Sequence, residues 1–196
     1  MIRARAVAAF RERLRGRLVG PEDASYDTAR RVWNGRIDRR PALIAFCTDE
    51  MDVIASVCFA REQELVAAVR GGGHNVAGTA VCDDGLVIDL SRMKSIEVDA
   101  AGRSVRSEGG VLWGELDRAT QAFCLAVPGG TDSDVGIAGL TLGGGNSWLM
   151  GLQGATCDNL LAADVVLADG RRVSASSTEN PDLFWSLRGA AEILEL

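Results

Sequence analysis

The chain has 196 residues, 47% of them hydrophobic and 24% charged, with a formal net charge of −6. That length buries one good core, built as one domain or as two subdomains. The acidic balance excludes a nucleic-acid surface, which needs a basic patch with interleaved aromatics, and no apolar run suggests a signal peptide or a membrane span.

Basic charge gathers only at the start, where Arg3, Arg5, Arg11, Arg13, Arg15 and Arg17 stand against Glu12. The stretch reads as a solvated N-terminal helix or as an arginine-rich transit segment. Glu22 to Trp33 is expected to form a short helix ending near Asn34-Gly35. Ala42 to Phe46 is an apolar strand. Thr48 stands where it can N-cap the next helix, with Asp49 and Glu50 at the positive end of the dipole, and Val53, Ile54, Val57 and Cys58 recur at helical spacing. Leu65 to Val69 reads as a strand that runs into Arg70-Gly71-Gly72-Gly73-His74-Asn75. Gly85 to Leu90 is a further strand, and Ile96–Val98 and Ser104–Arg106 are the arms of a hairpin. Leu112, Leu116, Ala119 and Phe123 mark one helix face. Val165–Ala168 and Arg171–Val173 flank Asp169-Gly170, a pair favoured in a type I′ turn. Asn180-Pro181-Asp182 opens a last helix with cap, N1 proline and an acidic second residue. The expected class is α+β with many short strands.

Cys47, Cys58, Cys82, Cys124 and Cys157 are scattered, odd in number and form no C-x-x-C. Neither a zinc site nor a disulfide framework is indicated, and a reducing cytoplasm fits best. Cys58 and Cys124, beside apolar stretches, read as small core residues.

His74 is the only histidine. A Ser-His-Asp triad would have to use it, and a zinc site would lack a second imidazole, so no metal is expected. It follows three glycines, whose backbone can take positive φ and form an anion-binding concavity. The run serves either as a tight turn or as a phosphate grip. It is not a P-loop, because Lys and Ser/Thr do not follow the last glycine, and it is not G-x-G-x-x-G opening a helix. A second cluster, Gly129-Gly130-Thr131 and Val135 to Gly145, is either a pair of crowded β-turns or a second ligand surface, with the Thr131 and Thr141 hydroxyls as donors.

In order and spacing, Arg70–Asn75, Gly85–Met93, Gly136–Gly145 and Ala168-Asp169-Gly170 followed by Glu179–Trp185 resemble the FAD-binding domain of the p-cresol methylhydroxylase / vanillyl-alcohol oxidase superfamily. The likeness runs from about residue 15 to 189 and is greatest to the berberine-bridge-enzyme-like and 6-hydroxy-D-nicotine oxidase branch. It implies an α+β fold of two subdomains, about 37–95 and 96–189, with FAD between them. Residues 1–36 would be an N-terminal helical segment and 190–196 a divergent tail. The resemblance implies that Arg70, Gly71, Gly72, Gly73, His74, Asn75 and Gly78 hold the pyrophosphate end, with His74 joined through a ring nitrogen to the flavin 8α-carbon. Gly129, Gly130, Thr131, Val135, Gly136, Gly139, Leu140, Thr141, Gly143, Gly144 and Gly145 would line the isoalloxazine and ribityl chain.

Departures from the family pattern carry expectations of their own. Many relatives bear a second flavin link, a cysteine two residues past the Gly-Thr pair; Asp132, followed by Ser133, occupies that place, so a single histidyl link is expected. Ser147 replaces a glycine, and Met150-Gly151-Leu152-Gln153 replaces a basic-aromatic pair. After Leu187-Arg188-Gly189 the family continues into a substrate domain, whereas this sequence reads Ala190 to Leu196 and stops, as a truncated member would. The implied function is an FAD-dependent oxidoreductase, oxidising a small organic substrate by hydride transfer to flavin with O₂ as acceptor. Lacking the substrate roof and any base it brings, the chain alone would be a poor oxidase and would be open to self-association. The other reading is a catalytically silent flavin-binding fragment or interaction module.

Overall fold

A computed structural model describes residues 2–189, and the 190–196 tail expected above lies outside the described residues. The chain divides into two compact units: residues 1–93 with 166–172, and residue 94 onward without that insert. The first 36 residues belong to the first unit, and the tip of the Asp169-Gly170 hairpin joins it too.

The first unit is built on a four-stranded sheet in the order β1 (Arg17–Val19), β2 (Leu43–Phe46), β4 (Leu86–Asp89), β3 (Ala67–Arg70). β1 and β2 are antiparallel, while β4 pairs in parallel with β2 and β3. All four β4 residues are buried, as a parallel strand covered on both faces must be. Alternation sends Leu43, Ala45, Leu86 and Ile88 to one core and Ile44 and Val87 to the other. Helices α1 (Ala4–Arg13) and α3 (Glu50–Glu62) cover the first face, where Phe10 and Phe59 stack with centroids 4.1 Å apart. Tyr26, Ala29, Val32, Ile37 and Val81 cover the second.

Several expectations are corrected. The α3 cap is Asp49, which accepts from Asp52 N, and not Thr48. The buried face of α3 is Asp52, Ala55, Ser56, Phe59 and Ala60, one step round from the branched residues that marked it in sequence. The helix expected over Glu22–Trp33 is a single turn, α2 (Tyr26–Ala29). Its continuation is stopped because the Ala29 and Arg31 carbonyls are taken by the Arg70 guanidinium. Cys124 is exposed and Cys58 half-buried; the buried thiols are Cys47, Cys82 and Cys157, and none of the five is in a disulfide. Burial pushes the Cys47 thiol up to about 12, leaving it unreactive.

Asp52 is the structural carboxylate of this unit. It accepts from the backbone N–H groups of Arg15 (2.8 Å), Gly16 (3.0 Å) and Thr48 (2.9 Å), and from the Thr48 hydroxyl (2.9 Å). Burial pushes its carboxyl upward, but these four donors outweigh it and hold the group below the usual aspartate range. A depressed folded value gives stability that is present above the unfolded value and is lost as pH falls through the folded one. Asp52→Ala should therefore cost about 1–3 kcal/mol at neutral pH. In chemical unfolding, that gap should close as the pH is lowered below about 4; a gap that persists unchanged in acid would contradict the assignment.

The second unit holds two hairpins and short helices. β5 (Ile96–Asp99) pairs antiparallel with β6 (Ser104–Ser107), as expected. α4 (Trp113–Gln121) buries Trp113, Leu116 and Thr120, while Phe123 lies beyond its end and is exposed. Glu115 receives the Lys94 ammonium at 2.6 Å and Leu112 N at 2.8 Å. Residues 137–142, within the glycine cluster, form a short helix, α5 (Ile137–Leu142), rather than turns. α6 (Met150–Gln153) and a 3₁₀ turn (Thr156–Asn159) follow. β7 (Ala162–Val166) and β8 (Arg172–Ser176) form the last hairpin, and α7 (Pro181–Ser186) buries Phe184.

Two turn details differ from expectation. Gly170 has φ +86°, but Asp169 stays at negative φ, and Leu167 O and N bond to Gly170 N and Arg171 O. This is a three-residue connection closed by a left-handed glycine, not a type I′ turn. Asn180 does not cap α7 with its side chain. It takes a left-handed conformation (φ 48°), and its amide donates to Ser174 O at 2.7 Å.

Candidate functional site

The glycine loop of the first unit leaves the sheet at Arg70. In parallel register Arg70 lies opposite Asp89, and the two form a buried ion pair, their side chains 7% and 3% exposed. The guanidinium also donates to Ala29 O (2.7 Å) and Arg31 O (3.2 Å). Ser91 donates to the other Asp89 oxygen through its backbone N–H (2.9 Å) and its hydroxyl. The Arg70 charge, grouped with the pyrophosphate-holding residues in the sequence, is thus turned inward. It fixes the base of the loop.

The loop itself is laced to residues 33–37. Gly73 takes φ +71°, a conformation that L side chains rarely adopt, and its carbonyl accepts Trp33 N at 3.1 Å. The Asn34 amide donates to Val76 O at 2.8 Å. Asn75 closes the next turn on itself, its carbonyl accepting Gly78 N (3.1 Å) and its side chain accepting Thr79 N (3.2 Å). A Cβ on Gly78 would lie 2.8 Å from the Ile37 side chain, so this glycine serves internal packing. The His74 ring, half-buried, is stacked on the Trp33 indole with centroids 5.4 Å apart and planes at 24°.

In the second unit the glycines sort into two kinds. A Cβ on Gly129 would stand 2.2 Å from the Trp113 ring, one on Gly130 2.8 Å from it, and one on Gly145 2.3 Å from Thr156 Oγ1. Those glycines answer to neighbours within the chain. Gly139 and Gly144 have nothing within 4 Å of a Cβ. Gly139 is inside α5, where glycine costs about 1 kcal/mol relative to alanine, and nothing packed against it repays that cost. Beside Gly144 and Gly145, the buried Thr156 hydroxyl has no hydrogen-bond partner among the described residues. Bare backbone next to an unsatisfied hydroxyl suits a flat polar ligand, and the residues present fit the group that the sequence resemblance implies.

Other members of the cluster have structural duties. Gly136 and Gly143 bound α5, and Leu140 packs on the Trp113 core. The Val135 carbonyl accepts Trp113 N at 3.0 Å. The Thr141 hydroxyl, expected as a ligand donor, donates to Ile137 O at 2.7 Å, and that of Thr131 to Asp132 at 3.3 Å. Sequence reasoning missed Asp89, Trp33 and Thr156. Asp89 could have been found, since Val69-Arg70 and Ile88-Asp89 are apolar strands ending on opposite charges.

Gly139→Ala separates ligand from fold. Free of cofactor, the variant should be more stable by about 0.5–1 kcal/mol, yet hold FAD more weakly than wild type. Thermal midpoints with and without FAD check both signs. Equal FAD affinity in the two proteins would remove Gly139 from the site.

No helix among the described residues is long and apolar enough to cross a membrane. The FAD binding domain family matches residues 41–176. (R)-6-hydroxynicotine oxidase of Paenarthrobacter nicotinovorans is 41% identical over 177 residues, which cover 90% of this chain and 39% of that protein. The crystal structure of 6-hydroxy-D-nicotine oxidase from Arthrobacter nicotinovorans superposes with a TM-score of 0.89 at 41% identity, covering 91% of this chain and 39% of that one. Berberine-bridge-enzyme-like protein 1 of Physcomitrella patens gives 0.89 at 29% identity, covering 95% and 41%. The chain thus spans about two fifths of these relatives. On the family match, and with the fold and motif order described above, the chain belongs to the FAD-binding domain family and is similar to 6-hydroxynicotine oxidase and the berberine-bridge-enzyme-like proteins.

Proposed function

We propose that this chain is the flavin-holding part of an FAD-linked oxidoreductase, with the cofactor attached covalently at His74. The observation that carries the proposal is the placement of the sole imidazole: on a glycine loop, half-buried, stacked on an indole, with the base of the loop fixed by a buried ion pair. The backbone of Gly71, Gly72, Gly73 and Asn75 receives the pyrophosphate, and Arg70 acts by shaping that backbone rather than by touching the anion. Gly139, Gly144 and the Thr156 hydroxyl offer bare backbone and a free donor to the flat ring. Bound there, FAD would accept a hydride from a small organic substrate and pass the electrons to O₂. The acidic, disulfide-free chain suits a reducing cytoplasm. Protein from riboflavin-starved cells should be stabilised against heat by FAD and not by FMN, which lacks the pyrophosphate. Absence of any shift with FAD would reject the proposal.

A second reading is a flavin-binding portion or interaction module with no oxidase activity by itself. Anaerobic mixing with alcohols, amines and sugars decides between them. Saturable bleaching of the flavin indicates a working substrate site, and a flavin that stays oxidised indicates the holding role alone. Exposed Trp148, Leu152, Leu161 and Trp185 support self-association under the second reading.

A further inference from the structure

We propose that Trp33 is a positioning residue for flavin attachment: its indole sets the plane of the His74 imidazole so that a ring nitrogen is presented to the flavin 8α-carbon. This rests on the reading of His74 as the attachment point.

Three features of the first unit support the assignment. The Trp33 indole is 61% exposed, while its neighbour Val32 packs into the core; the fold does not need the indole for burial. The exposed ring is nonetheless stacked on His74, at 5.4 Å and 24°, a separation at which aromatic faces attract. The two segments that carry these rings are tied together beside them, by Trp33 N to Gly73 O and by the Asn34 side-chain amide to Val76 O. Upstream, the Arg70 guanidinium holds the Ala29 and Arg31 carbonyls. The residue pair 70–89 therefore positions the loop carrying His74 and also the segment carrying Trp33.

A His74 ring nitrogen forms one N–C bond to the 8α-carbon, displacing one methyl hydrogen and giving up its own N–H hydrogen. Two electrons and two hydrogens pass to the isoalloxazine, and dioxygen removes them as hydrogen peroxide. Attack needs the nitrogen lone pair in line with the carbon, so the plane in which the imidazole is held sets how often that condition is met.

The test uses the full chain prepared without cofactor, as wild type, Trp33→Leu and Trp33→Phe. His74 is the only histidine, so its imidazole NMR signals need no assignment. They should show an upfield ring-current shift in wild type, keep part of it in Trp33→Phe and lose it in Trp33→Leu. After FAD is added, acid-stable flavin should accumulate roughly 3–10-fold more slowly in Trp33→Leu and near the wild-type rate in Trp33→Phe. Reversible FAD affinity should be alike in all three. The Phe rescue separates positioning from loop stability, since both substitutions remove the indole. Equal attachment rates in wild type and Trp33→Leu would overturn the proposal alone. A wild type that gains no acid-stable flavin would overturn the attachment reading, and this proposal with it.

Discussion

Asp89→Ala is expected to lower stability by about 3–5 kcal/mol, because it leaves the Arg70 guanidinium buried without its counter-charge. The Arg70 and Asp89 side chains are 7% and 3% exposed, so water cannot compensate, and the two Ser91 donors lose their acceptor as well. Against a typical total of about 5–15 kcal/mol, that is a third or more of the folded state. Guanidinium unfolding should show it as a large fall in midpoint. The double variant Arg70→Met/Asp89→Leu removes both charges and should recover most of the loss. It still frees the Ala29 and Arg31 carbonyls, so flavin attachment should remain impaired in a protein that folds. A midpoint for Asp89→Ala within experimental error of wild type would show that the pair is not the foundation of the loop.

His74→Ala is expected to abolish covalent flavin while leaving reversible FAD binding. The loop backbone is held by Gly73, Asn34, Asn75 and the Arg70–Asp89 pair, none of which depends on the imidazole. The variant should emerge from a desalting column with FAD still bound and release all of it on denaturation, where wild type keeps it. Loss of reversible binding as well would mean that His74 supports the loop's structure.

Much of this architecture was legible because it rests on local pattern. The sheet strands at 43–46 and 86–89 and the hairpin at 96–107 follow apolar runs and alternation closely. What sequence could not show depends on partners far along the chain. The helix expected over Glu22–Trp33 stops at Ala29 because an arginine some forty residues later takes its carbonyls. α5 forms across glycines that disfavour helix because Ile137 N and Gly136 are tied to Val111 and Leu112. The α3 face was misjudged because Asp52 and Ser56 are buried through hydrogen bonds rather than apolar character.

The site was legible by residue type and less so by role. The sequence singles out the loop because three glycines precede the only histidine. Arg70, read as a phosphate ligand, proves to be an internal strut, since a charge at a strand end looks the same in sequence whether it faces ligand or core. The second cluster likewise mixes glycines required by Trp113 and Thr156, and Gly144, held at φ +100°, with one, Gly139, that neither packing nor backbone conformation requires. Only the space around each Cβ position and the backbone angle distinguish them.

Peptide mapping of acid-precipitated wild-type protein tests the attachment at His74 most directly. The flavin should remain with the pellet and, after proteolysis, appear as a mass addition on the one peptide containing His74, with Cys124 and Cys157 unmodified. Flavin released wholly into the supernatant, or found on a peptide carrying either cysteine, would contradict the account.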